Sequence, residues 1–174
     1  MSPAFPIKIL EQGDIGDLWN LVQDGRHETE AVYFERALEE QQENKRLVFV
    51  ARDMSGKVVG YVHYNRFPKY APFRRFGLPE IQDLYVHPDC RRQGIGQMML
   101  DHCVAQARAD GHGEIGIGVG VMSGFGAAQR LYARYGFVPD GAGVTYDRDP
   151  VTTGELRALD DHLCLMMTKE ILAF

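Results

Sequence analysis

The chain has 174 residues, 45% of them hydrophobic and 25% charged, with 24 acidic and 19 basic side chains for a net charge of −5. That is enough for one domain with a sizeable core, expected to span residues 1–174, and nucleic-acid binders are more often basic. No apolar run reaches a membrane span, and Pro3 and Pro6 break up the start where a signal peptide would lie, so a cytoplasmic chain with no membrane or nucleic-acid partner is expected. Cys90, Cys103 and Cys164 are widely spaced and odd in number, which fits a reducing compartment. The six histidines form no paired ligand spacing, so no metal site is expected.

Residues 7–10 read as a short first strand. Asp14 suits the N-cap of a helix to residue 22, with Leu18, Trp19 and Val22 on one side. A second helix is expected over 29–44. Val32, Tyr33, Ala37 and Leu38 form its apolar side, and Glu35, Glu39, Glu40 and Glu43 a solvated one. Residues 47–52 and 58–64 read as a hairpin around Met54-Ser55-Gly56-Lys57. Residues 67–79 read as a loop with three prolines and the basic pair Arg74-Arg75. Its aromatics, Phe67, Tyr70, Phe73 and Phe76, suit an acceptor pocket, a dimer contact or plain packing.

The stretch from 80 to 96 organises the chain. Glu80-Ile81-Gln82-Asp83-Leu84-Tyr85-Val86-His87 reads as a strand ended by Pro88. Asp89-Cys90-Arg91-Arg92-Gln93-Gly94-Ile95-Gly96 reads as a basic glycine turn running into a helix. Unpaired N–H groups at a helix start, glycines that let an anion approach, and two fixed positive charges make a phosphate cradle. A Walker loop is excluded, because Gln97 and Met98 follow Gly96 where Lys and Ser/Thr are required. Gly111, Gly113 and Gly116 have dinucleotide-fingerprint spacing, but between a helix and a strand, the reverse of the required order. A nucleotide-dependent oxidoreductase is disfavoured on that ground.

A helix over 94–110 follows, with Ile95, Met99, Cys103 and Ala107 on one face and Gly111 as its stop. In the strand expected over 114–122, Gly116, Gly118 and Gly120 leave one face bare. Either a ligand or another backbone lies close there, or a helix packs tightly. Residues 126–135 form the next helix, closed by Gly136, and 137–146 give one strand or two fragments. A polar loop over 149–161 and an apolar strand over 163–168 complete an α/β layered pattern with a mixed sheet.

Two segments carry a family resemblance. Arg91-Arg92-Gln93-Gly94-Ile95-Gly96 resembles the Gln/Arg-x-x-Gly-x-Gly/Ala signature of the GCN5-related N-acetyltransferases (GNAT). Residues 128–137, with Ala128, Leu131, Tyr132, Gly136 and Phe137, are similar to that family's Ala-x-x-Leu-Tyr-x-x-x-Gly-Phe segment. The resemblance implies one N-acetyltransferase domain over 1–174: a mixed, mostly antiparallel central sheet flanked by helices and splayed at the cofactor site. It implies acetyl-CoA as cofactor, a small-molecule or protein amine as acceptor, and a homodimer. The cofactor residues it implies are Leu84, Tyr85 and Val86 on the strand, Arg91, Arg92, Gln93, Gly94, Ile95, Gly96 and Gln97 on the loop, and Phe125. Phe125 stands where the family usually has Asn.

The implied chemistry attacks the thioester directly with an amine. Such an amine, with a pKa of about 10, must first lose a proton. Glu80 falls where histone-type members carry a glutamate base, with Asp83 as the second candidate; Gln82 falls at the polyamine-type position and cannot act as a base. If strand pairing is regular, Glu80, Gln82, Leu84 and Val86 share a face opposite Ile81, Asp83 and Tyr85. Tyr132 occupies the family's general-acid position for the departing thiolate. The alternative from another class is a non-catalytic acyl-CoA-binding module.

Overall fold

A computed structural model describes residues 5–25 and 27–172. In chain order its elements are β1 (Ile7–Ile9), α1 (Ile15–Asp24), α2 (Tyr33–Gln42), β2 (Arg46–Arg52), β3 (Val58–Asn65), α3 (Ala71–Phe76), β4 (Glu80–Val86), α4 (Ile95–Ala109), β5 (Glu114–Gly120), α5 (Gly126–Tyr135), β6 (Val138–Tyr146), β7 (Asp149–Pro150) and β8 (Leu163–Glu170). The pairs β1–β2, β2–β3, β5–β8, β6–β8 and β6–β7 are antiparallel, and β4–β5 is parallel. This is the expected mixed, mostly antiparallel α/β architecture. Contacts divide the chain into two compact units. One runs up to Asn65 and includes Gln82–Cys103; the other holds Arg66–Ile81 and everything from Val104 on.

In the first unit the strands run β1-β2-β3-β4. Pairing places Ile7 opposite Ala51 and Val50 opposite Tyr61. The β2–β3 turn is held by Asp53, whose Oδ1 accepts from the Ser55 and Lys57 amides at 2.9 and 3.0 Å, while Gly56 takes φ of +88°. Every residue of β3 is buried. Leu18, Leu21 and Val22 of α1 and Phe34, Ala37 and Leu38 of α2 pack in one cluster with Val48, Val50 and Tyr61. Each large side chain so buried contributes about 1.5–3 kcal/mol. Gln41 also ties α2 to the sheet, donating to the Leu10 carbonyl at 2.8 Å and accepting from the Val48 amide at 3.0 Å.

Helix α2 starts four residues later than its periodicity suggests. Val32, expected on the apolar side, is 56% exposed and has a left-handed φ of +57°. A β-branched residue is strained there, and its backbone ends the helical run.

In the second unit the first residues of β4 pair in parallel with β5, Glu80 opposite Gly116 and Ile81 opposite Ile117. From β5 the order is β5-β8-β6-β7. Strand β8 pairs with β5 along its whole length, from Glu114↔Glu170 to Gly120↔Cys164. Strand β6 is continuous but irregular: its register on β8 shifts between Pro139 and Val144, and Gly141 and Gly143 have positive φ.

The expected loop over 67–79 contains a helix, α3. Pro72 sits in its first turn, where a missing N–H costs nothing, and Gly77 ends it with φ of +66°. Phe73 and Tyr70 anchor it in a cluster with Leu78, Cys164 and Met166, and the Tyr70 hydroxyl donates to Asp140 at 2.7 Å. The prolines that suggested a loop mark the start of a helix instead.

Candidate functional site

Strand β4 carries the candidates Glu80, Asp83, Leu84, Tyr85 and Val86, and its regular alternation fails at Asp83, where φ is +51°. Face assignments therefore do not carry across that position. Glu80 and Ile81 are both buried, Gln82 is half-buried and held by Asn65 at 3.2 Å, Asp83 is exposed, and Leu84 and Val86 are half-buried. Tyr85 is buried, with its ring in the α1–α2 cluster, stacked on His27 at 4.5 Å. Its hydroxyl is buried with no hydrogen-bond partner. The side chain of Tyr85 is thus a core group; only its backbone faces other duties.

The loop after β4 belongs to the same unit as Gln82–Val86. Residues 88–90 form one 3-10 turn, and the Cys90 amide donates to the His87 carbonyl at 2.9 Å. Arg91 folds back, its Nε donating to the Val86 carbonyl at 3.0 Å, so the loop is tethered to the end of the strand. Arg92 and Gly94 have φ of +61° and +83°. Arg91, Arg92, Gln93, Gly94 and Gln97 are exposed, Gly96 is half-buried, and Ile95 is buried as the first anchor of α4. The Met98 amide makes a helical bond to Gly94 at 3.0 Å. The amides of Ile95, Gly96 and Gln97 precede that bond, in the exposed, positively charged setting an anion requires.

Around Asp83, in the same unit, lies a polar cluster. The Tyr33 hydroxyl of α2 donates to Asp83 Oδ2. Tyr33 Oη is 3.4 Å from His63 Nε2, and Arg46 Nη1 is 2.9 Å from His63 Nδ1. Arg46 is ion-paired with Glu40. Burial lowers the His63 pKa to about 4, with the Asp83 charge opposing and Arg46 adding to the fall. Burial, then the Asp83 carboxylate, raises the Tyr33 phenol far above its ordinary value, so it stays protonated.

The remaining candidates lie in the second unit. Glu80 has no exposed surface, and Arg148 Nε and Nη2 reach its Oε1 at 2.9 and 2.8 Å. Arg148 comes from the two-residue turn between β6 and β7, where Asp147 and Arg148 have φ of +49° and +70°. Along β5 the missing side chains are replaced by neighbours. A Cβ on Gly116 would lie 2.2 Å from the Phe73 ring, and one on Gly120 would lie 2.3 Å from the ring of Phe125. Phe125 precedes α5 without a side-chain cap bond, so this phenylalanine packs where an asparagine would hydrogen-bond. Tyr132, on α5, is 5% exposed, with its ring 6.2 Å from that of Phe137.

Tyr33, His63, Arg46 and Arg148 were not singled out from sequence. Tyr33 reads as one more apolar helix residue and His63 as a scattered histidine. Arg148 sits in a turn with neither Gly nor Asn to announce it. Among the described residues no group of His, Cys, Asp or Glu is placed to hold a metal, and no helix is long and apolar enough to cross a membrane.

The model of the acetyltransferase (GNAT) family matches residues 15–137, and the chain belongs to that family. Over 91 residues it is 33% identical to an L-methionine sulfoximine/L-methionine sulfone acetyltransferase of Pseudomonas paraeruginosa, covering 52% of this chain and 49% of the relative. The chain therefore spans about half the length of the curated relatives it matches. Among solved structures it resembles an N-acetyltransferase from Staphylococcus aureus Mu50, with TM-score 0.71, 18% identity and coverage of 98% and 100% of the two chains. It also resembles yncA from Salmonella typhimurium, solved with its cofactor acetyl-CoA, with TM-score 0.69, 19% identity and coverage of 99% and 96%.

Proposed function

We propose that this chain, as one N-acetyltransferase domain over residues 1–174, transfers the acetyl group of acetyl-CoA to a primary amine. The observation that carries this is family membership over residues 15–137 together with an intact, tethered phosphate loop at Arg91–Gln97. The exposed amides at the start of α4 hold the cofactor pyrophosphate, and the arginines neutralise it. The backbone of Leu84, Tyr85 and Val86 contacts the pantetheine arm. Phe125 offers the cofactor an apolar ring in place of an amide. The Tyr132 phenol protonates the departing thiolate.

Two carboxylates of β4 compete for the amine proton. Glu80, first in the sequence argument, is fully buried and held by Arg148, so it accepts a proton only through intervening groups. Asp83, three residues on, is exposed at the break in the strand. Exposure favours Asp83 as the group that meets the ammonium, with Glu80 fixing the start of β4. The acceptor class is a small amine; the substrates named for the curated relative make L-methionine sulfone and L-methionine sulfoximine the first to try.

The test is CoA thiol release from acetyl-CoA over a panel of those two amines, amino acids, aminoglycosides and peptide N-termini. Acceptor-dependent release is expected, lowered most but still measurable in Asp83→Asn and lowered less in Glu80→Gln. CoA binding without turnover on any amine would make the chain an acyl-CoA-binding module instead.

A further inference from the structure

Asp83 sits at the end of a series of polar groups whose bonds all point one way. A guanidinium donates and never accepts, so at 2.9 Å from Arg46 Nη1 the His63 Nδ1 must be the acceptor. The neutral ring then carries its proton on Nε2, the atom facing Tyr33 Oη at 3.4 Å. The phenol, with its oxygen accepting, turns its own proton to Asp83 Oδ2. Glu40, paired with Arg46, fixes the far end.

The backbone at the near end is held in the same interest. Val32, immediately before Tyr33, and Asp83 itself have φ of +57° and +51°, conformations costly for residues other than glycine. Strain of this kind persists only where the surroundings impose it, and it clusters at sites with a task. Here one hydrogen bond joins Asp83 to Tyr33, the residue that follows Val32.

We propose that Arg46, His63 and Tyr33 form a one-way hydrogen-bond chain that fixes the Asp83 carboxylate for the incoming amine, with Tyr33 as the positioning residue of the acceptor side. This rests on the acetyltransfer reading above. The titratable groups coupled to Asp83 are Tyr33 from α2 and Tyr61 and His63 from β3, while Arg46 from β2 acts on Tyr33 and His63. Tyr61 is itself bonded to Thr29. Tyr33 alone among them puts a proton on the carboxylate oxygen in the hydrogen bonds described. Because the phenol is rigid and half-buried, it sets the direction of the carboxylate without covering it.

Two measurements on the full chain decide the matter. Ring ¹⁵N NMR of the resting protein reads the His63 tautomer and needs no substrate. Protonation at Nε2, shifting on Tyr33→Phe, is expected; protonation at Nδ1 overturns the chain even if acetyl transfer proceeds as proposed. The second is a double-mutant cycle of Tyr33→Phe and Asp83→Asn on the amine that turns over best in the panel. A hydrogen bond to a charged group is worth about tenfold, so Tyr33→Phe lowers kcat/KM for the amine by about that factor and leaves CoA affinity unchanged. In the Asp83→Asn background the same substitution has no further effect. Additive losses, or a loss that falls on CoA binding, overturn the positioning role. If no amine turns over, the acetyltransfer reading fails, while the tautomer still decides whether the chain exists.

Discussion

Arg148 reaches one oxygen of Glu80 with two nitrogens, Nε at 2.9 Å and Nη2 at 2.8 Å, from a turn in which both central residues have left-handed backbones. Such turns match the twist of a two-residue hairpin but normally use Asn and Gly. Arg148 adopts it at a cost of about 1–2 kcal/mol, whereas Asp147 is a residue type such turns accept. The return is a counter-charge for a carboxylate with no exposed surface.

Arg148→Met therefore destabilises the protein by about 3–5 kcal/mol, because it removes the cation from a buried carboxylate. Urea unfolding checks this as a lower midpoint at constant slope. Adding Glu80→Gln to Arg148→Met recovers part of the loss, since no charge is then left buried. An unchanged midpoint in the single variant would show that the pair contributes nothing.

Gly25 follows α1, and a Cβ there would lie 1.8 Å from the Tyr85 hydroxyl. Its φ of −78° is ordinary, so the obstacle is steric alone. Gly25→Ala costs about 1–3 kcal/mol as an overpacked core site. Tyr85→Phe removes a buried hydroxyl that has no partner, and is neutral or stabilising by itself. In that background Gly25→Ala becomes much milder. Thermal melts of the three variants test the set, and full additivity would place the clash elsewhere.

His63 makes stability depend on pH. Its folded pKa, about 4, lies below its ordinary value of 6.5. Above pH 6.5 it is neutral both folded and unfolded and has no effect. Between 6.5 and 4 the unfolded chain takes up a proton that the folded one refuses, so stability falls with pH by up to about 1.4 kcal/mol per unit. His63→Gln removes this part of the slope. Unfolding free energies of both proteins from pH 8 to 5 give the comparison; identical slopes would mean His63 protonates freely in the folded state.

The phosphate loop separates backbone from anion effects. Gly94 has φ of +83° and open space where a Cβ would go. Gly94→Ala thus costs about 1 kcal/mol of stability through conformation alone. Gly96→Val keeps the fold and weakens CoA binding by blocking the approach to the helix start. Arg91→Ala also weakens binding, by a margin that shrinks as salt rises. Calorimetry of CoA binding at two ionic strengths distinguishes these outcomes, and a Gly96→Val protein with parental affinity would move the pyrophosphate site.

The glycine turn into α4, the strand before it and the α/β class were legible because each has a local cause: Pro88 ends a strand, Gly94 supplies a left-handed turn, and Ile95 begins a periodic helix face. Helix α3 was hidden because Pro68, Pro72 and Pro79 together suggest a loop, although a proline in a first helical turn is harmless. The β5 glycines were rightly seen to bare a face, but what covers them, Phe73 and Phe125, depends on distant packing. Alternation failed as a guide to β4 because one positive φ, at Asp83, resets its parity. Arg148 and Tyr33 lie 68 and 50 residues from their carboxylate partners, beyond the reach of any local pattern.

Strand β8 follows β5, β6 and β7 in the chain, yet it lies between β5 and β6. Until it is made, both neighbours present open edges, and open strand edges invite pairing with other chains. A nascent chain stalled before Leu163 would carry two such edges at once. The second unit is therefore a poor candidate for folding on the ribosome, and a truncation that removes β8 should be read out first as aggregation rather than as lost activity.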